Sequence, residues 1–240
     1  MKNKFLKIFN ILFCIIFSFI LIINIFNNNF LLNSNYKWYI LLPLMLLIGL
    51  LLIIIKKIIV KLPNKSIKYL ITIISIIILL LQFFSSITYK TISNWDFSIV
   101  YKEAISFQKY ITFSADYFSK YPNNIPLLIL LKNLFSIFKF LNITNYLEIG
   151  IYFNLIMIDL SILFTCLLVN KIYDKKNVLF TLILYLLLSP IYLYVPIFYT
   201  DTITMIFPIL LLYFYNKFIT SHSEKYKIIL LILFIMFAFI

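Results

Sequence analysis

Long apolar runs dominate this sequence, and they restrict its possible folds more than any other feature. A helix needs roughly 20 apolar residues to cross the hydrocarbon core of a bilayer. Hydrophobic residues make up 64% of the 240-residue chain and charged residues 12%, which excludes a soluble globular domain. The sequence therefore predicts an all-α protein, a polytopic bundle of transmembrane helices. The apolar runs are 5–26, 38–55, 69–88, 124–141, 149–169, 178–198 and 202–219, with an eighth that begins near 228.

The two ends of the chain carry further predictions. The run 5–26 follows Lys2, Lys4 and Lys7, is longer than a signal-peptide core and lacks a small-residue cleavage site, so we expect a retained membrane anchor. The last run stops at Ile240, short of a full span. We therefore expect this chain to be the N-terminal part of a longer protein.

The net charge of +13 arises from 21 lysines, since arginine is absent, set against 8 acidic residues. The lysines cluster at the ends of the apolar runs, where they orient helices in a bilayer. The sequence carries no motif of a nucleic-acid-binding module. We therefore expect membrane lipids, and not nucleic acid, as partners.

The placement of the lysines predicts the topology. The N-terminus and loop 56–68 should be cytoplasmic, which places segment 89–123 outside. Loops 170–177 and 217–227 are also rich in lysine and should be cytoplasmic. These placements agree only if run 124–141 does not cross the membrane. We expect a multi-pass protein of the cell membrane with a cytoplasmic N-terminus.

Run 124–141 has the pattern of a helix that lies in the membrane interface. Lys132, Ser136 and Lys139 recur at spacings i, i+4 and i+7, so they form one polar face on an otherwise apolar helix. The whole segment 89–147 is therefore predicted to be the first large external loop, and to contain amphipathic juxtamembrane helices.

Segment 93–110 is predicted to be a second amphipathic helix of this loop. Ser93 and Asp96 have the spacing of a capping box at its start, although Glu or Gln is the usual partner. A stretch rich in aromatic and hydroxyl side chains follows it. That stretch ends in the turn Tyr121-Pro122-Asn123-Asn124.

An ordered set of motifs now points to a family. An acidic residue just beyond a membrane helix is followed by amphipathic helices, a Tyr-Pro-led interfacial helix, two spans separated by a basic loop, and a Thr-Asp pair. This order, over roughly residues 69–219, resembles the membrane-embedded glycosyltransferases of the GT-C fold, in particular the protein-mannosyltransferase-like branch (glycosyltransferase family 39-like). The matching residues are Asn94-Trp95-Asp96-Phe97, Asp116-Tyr117-Phe118-Ser119-Lys120-Tyr121-Pro122-Asn123-Asn124 and Phe198-Tyr199-Thr200-Asp201-Thr202.

The resemblance implies a domain organisation and an activity. Residues 1–68 would be N-terminal transmembrane helices added to the core, and residues 69–240 a GT-C-like core without its C-terminal part. The implied activity is that of an enzyme, a glycosyltransferase of the cell envelope. It would move a hexose or pentose from a polyprenyl-phosphate-linked donor to a hydroxyl of a glycan, lipid or protein acceptor at the outer membrane face.

Asp96 is the candidate catalytic residue. Glycosyl transfer needs a base that takes the acceptor proton as the hydroxyl attacks the anomeric carbon, and a carboxylate at the end of a rigid helix is suited to this. The competing interpretation is that Asp96 only caps a helix, a position that Asp often takes.

The other candidates would bind substrate. Lysines near the interface could stabilise charge that develops on the leaving phosphate, and a second carboxylate could orient the acceptor or the base. The structural alternatives are a helix start, a turn, and lysines that reach toward lipid headgroups. The candidate substrate-binding residues are Lys102, Lys120, Tyr121, Asn123, Asn124 and Asp201.

The sequence does not demand a cofactor. A divalent cation, Mg²⁺ or Mn²⁺, shared by Asp96 and Asp201 is the one candidate. The sequence departs from the family pattern in two respects, because it has no Asp-x-Asp pair and because Pro122 is followed by asparagine where many relatives have a second proline.

Two other classes of function stay open. A transporter or lipid flippase often has internal repeats and helices interrupted by Gly or Pro, whereas this chain has 2 glycines and no evident repeat. A non-catalytic scaffold or an inactive truncated transferase is the second class. Asp159, near the middle of run 149–169, either serves a substrate or packs against polar groups such as Asn154 and Gln82.

Overall fold

The backbone of this computed structural model is helical, and the structure describes residues 2–26, 38–92, 95–108 and 115–239. Those ranges contain no β-strand, so the predicted all-α class is confirmed. Four segments are long and apolar enough to cross a membrane, namely Leu42–Lys61, Asn64–Thr88, Tyr146–Ile172 and Thr200–Ser221. The helices are α1 (Lys2–Phe26), α2 (Trp38–Lys61), α3 (Asn64–Thr88), α4 (Asp96–Gln108), α5 (Ala115–Lys120), α6 (Ile125–Phe140), α7 (Tyr146–Ile172), α8 (Lys175–Leu187), α9 (Pro190–Leu193), α10 (Thr200–Thr204), α11 (Ile206–Ser221) and α12 (Glu224–Phe239), with a short 3₁₀ helix at Pro122–Asn124.

The chain divides into two compact units, Met1–Lys61 and Leu62–Ile240. The first unit consists of α1 and α2, whose apolar side chains, such as Ile15 and Leu46, are mostly exposed. Apolar side chains without a protein partner are suited to contact with lipid. The assignment of residues 69–240 to a GT-C-like core stays a prediction.

In the second unit, α3 and α7 run antiparallel. At one end the Lys90 ammonium pairs with the Glu148 carboxylate. At the other end Lys68 and Asn170 line the same cavity. We call the end that carries Lys90, Asp96 and Glu148 the Asp96 face, and the end that carries Lys68, Lys171 and Lys175 the basic face.

The lysine-rich loops meet at the basic face. The Lys171 Nζ, at the end of α7, donates a 2.9 Å hydrogen bond to the Thr220 hydroxyl, at the end of α11. The two loops that follow these helices therefore lie at one end of the unit, as the lysine pattern predicts. Which side of the membrane this end occupies stays a prediction.

The predicted span 178–198 is wrong as a continuous helix. Helix α8 ends at Leu187, and residues 188–199 form the one-turn helix α9 and irregular backbone. Pro190 and Pro196 account for this break, because proline lacks an N–H and cannot continue a helical hydrogen-bond ladder.

Two buried amides compensate the broken backbone. The Asn154 Nδ2 donates to the carbonyls of Tyr194, Val195 and Ile197, at 3.0 to 3.2 Å. The Gln82 Nε2 donates to the Ile191 carbonyl at 3.4 Å. Irregular backbone at membrane depth needs such partners, because lipid offers none. The polar residues that the sequence placed inside the spans thus act here as packing contacts.

Helices α4 and α6 pack against each other beside the spans. The Gln108 Nε2 donates to the Lys132 carbonyl and the Ser136 hydroxyl, both at 3.0 Å, and the Lys139 ammonium donates to the Gln108 carbonyl. The polar stripe of α6 therefore contacts the end of α4, whereas the sequence pattern had suggested that it faces the membrane interface alone. On α4 the apolar side is buried as predicted, at Phe97, Val100, Tyr101 and Ala104.

Candidate functional site

Aromatic contacts attach the start of α4 to the segment before α10. The Trp95 ring meets the Tyr199 ring edge-on with centroids 5.4 Å apart, and the Phe97 ring meets the Phe198 ring edge-on at 4.7 Å. Asp96 is the first residue of α4, lies between Trp95 and Phe97 in the sequence, and is half-buried. Its carboxylate is therefore held beside a segment that lies about a hundred residues further along the chain.

A glycine on α7 makes room for this arrangement. A Cβ built at Gly150 would lie 2.5 Å from the Phe198 Cζ, closer than side-chain carbons approach one another. Phe198 is fully buried between α7 and α4 because position 150 has no side chain. The ring of Phe198 thereby sets how closely the residues that follow it approach Asp96.

Asn124 connects the polar side chains near Asp96. It is buried, at 1% exposure, and its amide has a partner on each side. Its Nδ2 donates a 2.8 Å hydrogen bond to the Tyr117 hydroxyl, and its Oδ1 accepts one of 2.8 Å from the Tyr199 hydroxyl. A buried amide with satisfied donor and acceptor fixes its neighbours in one geometry.

Tyr117 extends this network to the carboxylate. Its oxygen accepts a hydrogen bond from Asn124, and its hydroxyl group also interacts with the Asp96 carboxylate. Burial and the Asp96 carboxylate together raise the pKa of Tyr117 above its ordinary value. Burial, followed by the charge of Asp96, also raises the pKa of Tyr199. Both tyrosines therefore stay protonated and can donate. We call Asp96, Tyr117, Asn124 and Tyr199 the Asp96 cluster.

The structure brings together some of the predicted site residues and leaves others apart. Asn124 belongs to the cluster, and Asp201 is close enough for its charge to act on Tyr199, although its side chain is exposed. The Tyr121 ring lies 5.0 Å from the Tyr117 ring at the rim of the cluster. Within the described residues, no hydrogen bond, ion pair or ring contact joins the cluster to Lys102, Lys120 or Asn123, whose side chains are exposed.

A family described as a conserved hypothetical integral membrane protein matches residues 1–240. The chain belongs to this family. Comparison with curated proteins and with solved structures gives no significant match.

In this integral membrane protein the Asp96 cluster lies outside the membrane-crossing helices. Its four members fall between the candidate spans, in 89–145 and at residue 199, just before the last span begins at Thr200. The cluster is therefore at an end of the bundle, beyond the segments that can cross the membrane. A carboxylate, two hydroxyl groups and an amide in contact can bind hydroxyl groups and accept a proton from one of them.

The cluster offers few ligands for a divalent cation. Within the described residues, no three His, Cys, Asp or Glu side chains lie close enough together to hold a metal ion. Asp96 and Asp201 would be the only charged ligands, and the Asn124 Oδ1 already accepts from Tyr199. A Ca²⁺ site uses about 6–8 oxygen ligands, and Mg²⁺ held by one or two carboxylates completes its coordination with water or substrate phosphates, so the protein alone does not form a closed site. The residues do not fit a tightly bound metal, and no step below uses one.

Tyr117 and Tyr199 belong to the site but were not among the predicted site residues. Both stand in the motifs that carry the family resemblance, one five residues before Pro122 and the other two residues before Asp201. In a chain with 18 tyrosines, a single tyrosine in an interfacial segment has no distinguishing pattern. Ser93 and Asn94, which complete the predicted capping box and the first motif, lie outside the described residues.

Proposed function

We propose that this protein is a membrane-embedded glycosyltransferase that moves a sugar from a polyprenyl-phosphate donor to an acceptor hydroxyl. The observation that carries the proposal is the contact of the Asp96 carboxylate with Tyr117, in a network that Asn124 extends to Tyr199. Residues from the three motifs that resemble the GT-C family thus lie close together at one end of the bundle.

In the proposed reaction the acceptor oxygen attacks the anomeric carbon of the donor sugar. The bond between that carbon and the phosphate oxygen breaks, and the polyprenyl phosphate leaves with the electron pair. The Asp96 carboxylate takes the proton of the acceptor hydroxyl. The hydroxyl of Tyr117 orients the carboxylate for this transfer, and Asp201, on the rim, orients the acceptor.

The leaving phosphate carries negative charge and needs cations near it. Lys120 ends α5, which also contains Tyr117, and Lys102 lies on α4, which begins with Asp96. Both ammonium groups are exposed on elements that contribute to the cluster. They are therefore free to approach a phosphate that arrives from the lipid headgroup region. Outward orientation of the Asp96 face and residence in the cell membrane are part of this proposal.

The proposal is tested by measuring sugar transfer in membranes that contain the full chain, with a panel of radiolabelled polyprenyl-phosphate sugars. Asp96→Asn removes the base without changing the size of the side chain, and we expect a loss of about 10²- to 10⁴-fold. Asp116→Asn is the matched control, since Asp116 is exposed on α5 and should retain activity. Transfer by Asp96→Asn at the level of the unaltered chain, with equal membrane insertion, overturns the mechanism.

A second candidate function is transport or flipping of a lipid. The break at 188–199, supported by Asn154 and Gln82, is an interrupted helix of the kind found in transporters. Lack of transfer from every donor, together with movement of a fluorescent lipid across vesicles that contain the protein, would favour this candidate. An inactive transferase fragment would show neither activity.

A further inference from the structure

A groove between α3, α7 and α8 opens from the side of the second unit. Its deeper part is a cavity of about 440 Å³ lined by apolar side chains such as Ile78, Leu79, Leu163 and Leu182. A second cavity of about 380 Å³ continues it to the basic face and shares Ile71, Cys166 and Val178 with the first. The two cavities form one groove, apolar at membrane depth and polar at its end.

Two lysines border the polar end of this groove. Lys68 on α3 and Lys175 at the start of α8 line it together with Thr72 and Asn170. Within the described residues neither ammonium group is in an ion pair with a carboxylate. The carboxylate nearest in sequence, Asp174, accepts hydrogen bonds from the backbone and side chain of Asn177 and caps α8. The cations therefore face the groove with their charge uncompensated.

The length of the groove matches half of a bilayer. From Lys68 to Leu79 along α3 the rise is about 16 Å, and the hydrocarbon core is about 30 Å thick, so one leaflet is about 15 Å. Asp159 lies at the inner end, where it interacts with Gln82. A chain that enters from the lysines reaches this carboxyl at the middle of the membrane.

We propose that this groove binds one anionic phospholipid, with its phosphate between Lys68 and Lys175 and one acyl chain along α3. Basic pockets between membrane helices bind lipid headgroups in this manner, and an apolar trough one leaflet long accommodates the chain. The site is at the basic face, opposite the Asp96 cluster, and does not depend on glycosyl transfer.

The test is native mass spectrometry of the purified full chain with phosphatidylglycerol or phosphatidylcholine added at equal concentration. We expect preferential retention of phosphatidylglycerol. Each lysine near an anionic headgroup contributes roughly a factor of 5, so Lys68→Gln with Lys175→Gln should lower retention of phosphatidylglycerol by about 25-fold and leave phosphatidylcholine unchanged. Leu163→Trp, which fills the apolar part from a half-exposed position, should lower retention of both lipids.

The matched control is Lys225→Gln with Lys227→Gln, which removes two charges from the first turn of α12, where Lys227 pairs with Glu224, without touching the groove. If both double variants lose the same amount of phosphatidylglycerol retention, the proposed site is wrong, because the total charge of the protein would then account for lipid binding. Equal retention of both lipids by the unaltered chain also overturns it. Competition by inorganic phosphate at the lipid concentration would identify a phosphate site and would contradict a site for whole lipid.

Discussion

The Tyr199 hydroxyl donates a 2.8 Å hydrogen bond to the Asn124 Oδ1 across 75 residues of sequence. Tyr199 precedes the last candidate span, whereas Asn124 ends the turn that begins α6. This bond joins two distant parts of the chain that both contribute to the Asp96 cluster. The contact is therefore the best point at which to test whether the Asp96 cluster acts as one unit.

Replacing Tyr199 by Phe removes this bond and keeps the aromatic contact with Trp95. We expect a loss of about 1 kcal/mol in the free energy of unfolding, since one hydrogen bond to a neutral partner disappears. If the proposed function holds, sugar transfer falls as well. Thermal unfolding in detergent measures the first effect. Tyr194→Phe is the control, because Tyr194 is 47% exposed; an equal loss in both variants would contradict the prediction.

Asn124→Ala should destabilise the protein more strongly than Tyr199→Phe. The change removes the buried amide together with its hydrogen bonds to the hydroxyl groups of Tyr117 and Tyr199. We expect about 2 kcal/mol. The adjacent Asn123 is exposed, so Asn123→Ala should change stability by less than about 0.5 kcal/mol. Similar unfolding temperatures for the two variants would show that Asn124 has no special place in the fold.

The contribution of the Tyr117 hydroxyl to stability should depend on pH in the alkaline range. Its pKa is raised by burial and by Asp96, so the folded state favours the protonated hydroxyl. This contribution to stability is complete below the ordinary pKa of tyrosine, about 10, and is lost as the pH rises above it. As the pH rises from about 9 to about 11, across the ordinary pKa of tyrosine, the unfolding temperature of the unaltered chain should therefore fall more steeply than that of Tyr117→Phe. Parallel curves would contradict the assignment.

Asn154→Leu should destabilise the irregular segment 188–199 between α8 and α10. The buried amide donates to three backbone carbonyls. Leucine would leave the Val195 carbonyl without a donor and would remove one of the donors to Tyr194 and Ile197, whose carbonyls also accept from backbone N–H groups. We expect a loss of at least about 2 kcal/mol. Asn133→Leu on α6 is the same chemical change at an exposed position and should have little effect. Steric-trap unfolding in bicelles would compare the two, and an equal response would mean that the carbonyls find other donors.

Gly150→Ala should disturb the packing of Phe198. The new methyl group would lie 2.5 Å from a ring that is itself buried against Phe97, so we expect a loss of about 1–3 kcal/mol. Adding Phe198→Leu should recover part of it, since the two changes act at one contact. Gly49→Ala is the control, because a Cβ there meets nothing within 4 Å and alanine favours a helix.

The helical class and most helix positions follow directly from the sequence, because apolar runs of membrane length leave few alternatives. The break in run 178–198 was harder to predict, since prolines occur inside membrane helices and only tertiary partners decide whether the helix ends. Those partners, Asn154 and Gln82, stand on other helices, and their roles depend on the packed structure.

The candidate site shows a similar limit. Asp96 and Asn124 were predicted from motifs, yet the contacts between them pass through Tyr117, which no local pattern distinguishes. Lys102, Lys120 and Asn123 were predicted by the same reasoning, yet in the described structure their side chains are exposed and apart from the cluster. Spacing along the chain indicates which segments meet, whereas the side chains that touch depend on ring packing such as that of Phe198 on Gly150.

The shortness of α8 has a consequence for the surrounding membrane. Its 13 residues extend only about 20 Å, against a hydrocarbon thickness of about 30 Å. Leu187, Leu188 and Leu193, at and beyond its end, are exposed, so lipid tails must cover a stretch without regular helix. A bilayer adapts to such a mismatch by thinning locally, at a fraction of a kcal/mol per Å. We expect the bilayer to be thinner beside α8 than beside the longer helices α3 and α7, so that the length of one helix shapes the lipid around the protein.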